Sequence, residues 1–361
     1  MKQMQNLEEL RNTLVELRDT QEDYIADGRS LNFKSDDKHS IITMRTINGF
    51  RDYPLLELAH DEMASRLHIP QSYYKYMQKE YPELLDLNVN GWLNRNAKNV
   101  LVRIQNGNVR AILSDKYRCL DNLELLDMAI PYMEGKYDDY HLESCGVTDS
   151  RMYIKYTSDR FTGDIRPGDT VKTGLVISNS EVGWGAVRVL PLIYRLVCTN
   201  GMIASQALGG ARKNHVGTRI PCGVGEIRVV DAKILSEKQD EFLTAVKDGL
   251  EIVSNHACFS KIFEQMQKSS EVEFDKDWDT AELVKYVGSL FGMTRTEQEL
   301  VKGQYNLAHD RTAYGLLNAI TRASQDVIDY ERATELERMG SMMLNATNVR
   351  LIRTHMMKAS A

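Results

Sequence analysis

From Val182 to Gly225 the chain carries no aspartate or glutamate, yet it keeps Arg188, Arg195, Arg212, Lys213, Arg219 and His215. With 51 acidic residues in 361, a stretch of that length would ordinarily hold about six. A second acid-free stretch, Leu87 to Ser114, contains Arg95, Lys98, Arg103 and Arg110. On a chain of net charge −6, such segregation builds a local positive field. The chemistry it suits is binding of a polyanion through its phosphates. The competing reading is a buried sheet, which excludes acid because it is apolar; the arginines in the same stretch weigh against it.

Catalytic chemistry is harder to find. There is no GxSxG, no phosphate-binding GxxxxGK[ST] or GxGxxG, and no HExxH among the eight histidines. His256 and Cys258 are the one close His/Cys pair, and two ligands without a third do not make a metal site. Asp231 and Lys233, at the end of the strand-like Ile227 to Val230, form the one enzymatic constellation. With Glu226 and the distant Asp169 they could hold magnesium for phosphodiester cleavage. Short patterns of this kind are frequent by chance, so a nuclease is a secondary reading. No cofactor is expected.

Composition bounds the rest. Hydrophobic content of 42% and charged content of 27% are those of an ordinary globular chain. No apolar run approaches the length of a membrane span. The five cysteines are odd in number and far apart without a CxxC, which fits a reducing cytoplasm better than a disulfide framework.

The elements that must position these residues divide into three regions. Residues 1–90 read as mainly helical, with an apolar stripe at Leu7, Leu10, Leu14 and Leu17 and a strand at Ser40 to Met44. Two helices between Leu55 and Tyr74 break near Pro70, a pairing that superficially looks like a helix-turn-helix reading DNA with Gln71 to Met77. Residues 91–225 are β-rich. Asn106-Gly107 predicts a hairpin pairing Ile104 with Val109 and placing Arg103 opposite Arg110. Val100, Val102, Ile104, Val109, Ala111 and Leu113 would then form its core face, and the opposed arginines would either keep an anion between them or each pair with a carboxylate from elsewhere in the fold.

A helix from Asn122 to Met133 and three strands follow, at Arg151 to Thr157, Val171 to Ser178 and Val187 to Cys198. The first of these strands puts Arg151, Tyr153 and Lys155 on one face, base alternating with aromatic, as stacking plus phosphate contact requires. Two polar loops, one around Trp184 and one from Gly209 to His215, complete the region. Residues 226–361 are helical and more acidic, with helices expected at Asp231 to Gln267, Thr280 to Phe291, Thr296 to Leu307 and Ala313 to Leu336.

Several segments together carry a resemblance. They are Leu67 to Pro70 with Tyr73 and Tyr74, Asn88 to Leu93, Val109 to Arg118, Leu120 to Asn122, Val187 to Val189, Arg195 to Met202, Thr312 to Tyr314 and Asn318 to Thr321. The chain resembles the phage and plasmid-like proteins grouped under a domain of unknown function, number nine-three-two, over roughly residues 55–340. The most specific piece is Val197 to Met202. The resemblance implies a mobile-element origin and the cytoplasm of a bacterial host, and supplies no catalytic residues.

More loosely, the order of hairpin, helix and three strands is similar to the core of phage single-strand annealing proteins, an analogy of fold alone. The expectation is an α+β protein, a homo-oligomeric binder of single-stranded DNA that promotes annealing and recombination without catalysis and has no membrane partner. Its site residues would be Arg103, Arg110, Arg151, Tyr153, Lys155, Trp184, Arg188, Arg195, Arg212, Lys213 and Arg219, with Tyr153 and Trp184 as stacking partners. On this reading, replacing Arg103 and Arg110 together by alanine weakens DNA binding and leaves thermal stability unchanged. A module that binds a host protein is the other alternative.

Overall fold

Asn106 and Gly107 both take positive φ, 50° and 72°, the backbone that a two-residue hairpin loop demands and that asparagine and glycine tolerate. Around this turn the computed structural model describes residues 6–35, 39–46, 49–95, 98–230 and 239–360. The first region holds α1 (Leu7–Asp19), β1 (Gln21–Asp27), β2 (Asn32–Ser35), β3 (Ser40–Thr46), β4 (Gly49–Pro54), α2 (Glu57–Arg66), α3 (Gln71–Glu80) and α4 (Pro82–Arg95). The central region holds β5 (Asn99–Gln105), β6 (Asn108–Ser114), α5 (Asn122–Lys136), β7 (Tyr140–Val147), β8 (Met152–Asp164), β9 (Thr170–Asn179) and β10 (Val187–Arg195). Three short strands follow, β11 (Asn200–Ile203), β12 (Ala211–Lys213) and β13 (Ile227–Val229). The last region holds α6 (Gln239–Val253), α7 (His256–Glu271), α8 (Thr280–Phe291), α9 (Arg295–Ala308), α10 (Ala313–Ala323), α11 (Tyr330–Gly340) and α12 (Ala346–Ala359).

The fold is α+β, built on antiparallel sheets. One sheet runs β13-β1-β5-β6, a second β2-β3-β4, and the largest β11-β10-β9-β8-β7 with β12 also on β10. The first sheet draws β1 from the N-terminal region, the hairpin from the centre and β13 from beyond it, so its core crosses the regional divisions of the sequence. Among the described residues no helix is long and apolar enough to cross a membrane.

The hairpin corrects one expectation. Ile104 pairs with Val109 and Gln105 with Asn108, but a β-bulge between Arg103 and Ile104 shifts the register, so Arg103 faces Ala111 and not Arg110. An extra residue in one strand exchanges the faces beyond it. Val100, Val102, Ile104, Val109 and Ile112 therefore pack into the N-terminal core. Ala111 and Leu113 move to the opposite face with Leu101 and Ile25.

The large sheet has two unlike faces. Met152, Ile154, Tyr156, Leu175, Ile177, Val187 and Val189 pack against α1, α5 and α6 in one apolar core. The other face carries Arg151, Tyr153, Lys155 and Arg188, and lies beneath α11. Two long helices expected from periodicity are each broken. Asn255 caps α7 by accepting from the Ala257 amide, and Asp329 caps α11 by accepting from the Arg332 amide. Short polar side chains at these positions satisfy the orphan amides of a new helix start. The Gly209–His215 segment is not an open loop, because Ala211–Lys213 pairs with β10.

Candidate nucleic-acid interface

Strand alternation brings Tyr153, Ser178, Arg188 and Arg212 into one row across the sheet. Tyr153 pairs with Ser178, Ser178 with Arg188, and Arg188 with Arg212. Residues in register on neighbouring strands lie on the same face, so the row points toward α11. Between row and helix is a cavity of about 90 Å³, lined by Arg151, Tyr153, Ser178, Arg188, Glu335 and Arg338 among others. Three guanidiniums face one carboxylate there.

Arg188 is the unusual member. It is half-buried and, among the described residues, makes no ion pair or side-chain hydrogen bond. Burial first, then Arg212, Arg338 and Arg151, pull its pKa down. Arg212 is exposed and, among the described residues, bonds only the Asn214 amide oxygen, at 3.1 Å. The sheet thus concentrates cations whose charge the protein does not neutralise, an arrangement suited to an anion.

The other expected site residues are placed differently. Arg103 is 1% exposed. Its Nε donates to Asp23 at 2.8 Å, and its Nη atoms reach the Glu181 carbonyl at 2.8 Å and Asp121 at 3.2 Å. Arg110 is also buried and pairs with the Glu181 carboxylate at 3.0 Å. Glu181 in turn accepts from the Asn122 amide at 2.6 Å, at the start of α5. These two arginines form a buried network joining the hairpin to the large sheet, which is the carboxylate pairing that competes with an anion between them.

Arg195 pairs with Asp169 through Nε and Nη2, Lys213 with Glu241 at 2.5 Å, and Lys155 with Glu337 at 2.6 Å. Arg219 is largely exposed, with Asp115 3.8 Å away. Arg151 pairs with Glu331 at 2.8 Å, lies 3.7 Å from Glu335, and donates to the Trp184 carbonyl. Trp184, whose backbone carbonyl accepts from Arg151, is 39% exposed. Tyr153 is buried against the Tyr330 ring, edge to face at 5.9 Å.

Of the enzymatic constellation, Asp231 and Lys233 lie outside the described residues. Asp169 is taken by Arg195 and the Tyr314 hydroxyl, and Glu226 accepts from the Gly223 amide in another part of the fold. Among the described residues no cluster of three or more His, Cys, Asp and Glu is placed to hold a metal ion.

Sequence reasoning missed Arg338. Glu331, Glu335 and Arg338 recur at helical spacing on α11 and so share a face, but reading Ala313 to Leu336 as one helix hid where that face points. The capping Asp329 was the available signal.

The model of one protein family, described as Domain of unknown function (DUF932), matches residues 110–343. No curated protein and no solved structure matches the chain.

Proposed function

The chain belongs to this family, the domain of unknown function DUF932, and we propose that it binds single-stranded DNA through the backbone, as a non-catalytic annealing protein. One observation carries the reading: Arg188 and Arg212 are opposed on adjacent strands with Arg338 and Arg151 close by, and among the described residues Arg188 has no carboxylate of its own. Like charges opposed across a ladder are unfavourable. A bound phosphate reverses the sign of that interaction, which gives a reason for keeping the pair.

A cavity of about 90 Å³ corresponds to a few water molecules, room for a phosphate group and not for a whole nucleotide, so the contact we propose is to the backbone. Trp184, partly exposed and held to Arg151 through its backbone carbonyl, offers a π-face to one base, and base stacking is tolerant of sequence. With phosphates held in the cleft, the remaining bases stay outward for pairing with a complement. Successive clefts in an oligomer would extend the same contact along the strand, and the setting we propose is the cytoplasm of a bacterial host.

The helix opposite the row is a wall and not a lid. Leu336 and Met339 of α11 are buried in the C-terminal core, so moving the helix would expose apolar surface. Its glutamates instead set how much of the positive charge is left over. Anisotropy titration of a labelled single-stranded oligonucleotide and its duplex, at low salt without magnesium, tests the proposal. Tighter binding of the single strand is expected; absence of binding, or equal binding of the duplex, contradicts it.

A further inference from the structure

A second group of cationic side chains lies on the last helix. α12 contains Arg350, Arg353, His355 and Lys358 and no acidic residue. Its inner side buries Ile352 and Met356. His355 is engaged, stacked on Tyr286 at 3.8 Å and 3.1 Å from Glu282. Arg350 and Arg353 are exposed and form no ion pair among the described residues.

Between α12 and α7 runs a groove of about 600 Å³. Val272, Met343, Leu344, Val349 and Met357 supply its apolar surface, Lys268 borders it from α7, and Arg350 and Arg353 border it from α12. Among the described residues no aspartate or glutamate lines it. An apolar trough edged by cations on two facing helices is complementary to a helix with one apolar and one acidic side. The methionines suit such a role, since an unbranched thioether adapts to the side chains it meets. A flat lipid surface fits less well, because the buried Met343 lies in a recess that a plane does not reach.

We propose that this groove docks an acidic amphipathic helix of a partner protein, with apolar side chains in the trough and carboxylates on Lys268, Arg350 and Arg353. The surface is separate from the Arg188 cleft, and the proposal stands or falls independently of DNA binding.

The probe is a fluorescein-labelled helical peptide of about 14 residues, leucines at alternating spacings of three and four and glutamate elsewhere. Its companion has lysine in place of each glutamate. The acidic peptide is expected to bind, and to lose about tenfold or more in affinity in the Arg350→Glu/Arg353→Glu variant. The lysine companion is expected not to bind the unaltered protein. Because both arginines are exposed, thermal melting of the variant should match the parent and establish that it folds. The proposal is overturned if the acidic peptide does not bind, if the double variant binds it equally, or if the lysine companion binds as well. Binding to phosphatidylglycerol vesicles that disappears in the same variant, without peptide binding, would assign the groove to a lipid surface and also overturn it.

Discussion

Arg188 on β10 stands directly opposite Arg212 on β12, two like charges in register across an antiparallel ladder. The sequence reading expected such an opposition at Arg103 and Arg110, and a bulge abolished it there. Replacing Arg188 by alanine should therefore relieve a repulsion while removing a phosphate contact. Thermal stability should stay level or rise by up to about 1 kcal/mol, and single-stranded DNA affinity should fall. A variant that loses stability in step with affinity would show that Arg188 serves packing instead.

Arg103 gives the opposite outcome. Its guanidinium is buried against Asp23, Asp121 and the Glu181 carbonyl. Arg103→Ala should destabilise by about 3 to 5 kcal/mol, because it leaves buried acid unpaired. Urea unfolding measures this directly. The expectation from sequence, that the Arg103/Arg110 double substitution leaves stability unchanged, is reversed by the burial of both side chains.

Glu335 lines the cleft beside Arg151 and Arg338 and would repel an incoming phosphate. Glu335→Gln keeps the shape and removes the charge. Single-stranded DNA affinity should rise by a few fold, on the order of 1 kcal/mol or less for a partly solvated charge. An unchanged or weaker affinity on titration would place the strand elsewhere.

His215 gives a pH dependence. Its ring lies between Tyr117, stacked at 5.2 Å, and Phe242 at 5.0 Å, and burial is the main cause lowering its pKa from 6.5 to about 4. The folded protein thus favours the neutral ring. Its contribution to stability is complete above the unfolded pKa of 6.5 and is lost as pH falls from there toward 4. His215→Phe should flatten that acid limb of stability by roughly 3 kcal/mol. Thermal melting at a series of pH values checks it, and an unchanged slope would mean that other groups dominate.

Local signals in the chain are faithful wherever the physics is local. Asn106-Gly107 fixed a turn, the Leu7–Leu17 stripe a helix, and alternation in Arg151–Thr157 placed Arg151, Tyr153 and Lys155 on one face. What sits above that face was not legible, because Tyr330 to Gly340 reaches it only through tertiary packing. The same limit applies to the arginines. Arg103 and Arg188 look alike in an acid-free stretch, and only the fold brings Asp23 to one and leaves the other without a carboxylate. Strands β1 and β7 escaped for a related reason: Glu22, Asp23 and Glu143 sit within them, and buried or edge partners accommodate charge that strand propensity disfavours.

The most direct measurement is the salt dependence of single-stranded DNA affinity in the unaltered protein and in Arg188→Ala. Each phosphate neutralised adds about −0.7 to the slope of log affinity against log salt. Arg188, Arg212 and Arg338, which have no ion pair among the described residues, predict a slope of about −2, less steep by about 0.7 in the variant. Binding with the same slope in both proteins, or no binding at low salt, would contradict a phosphate site at Arg188.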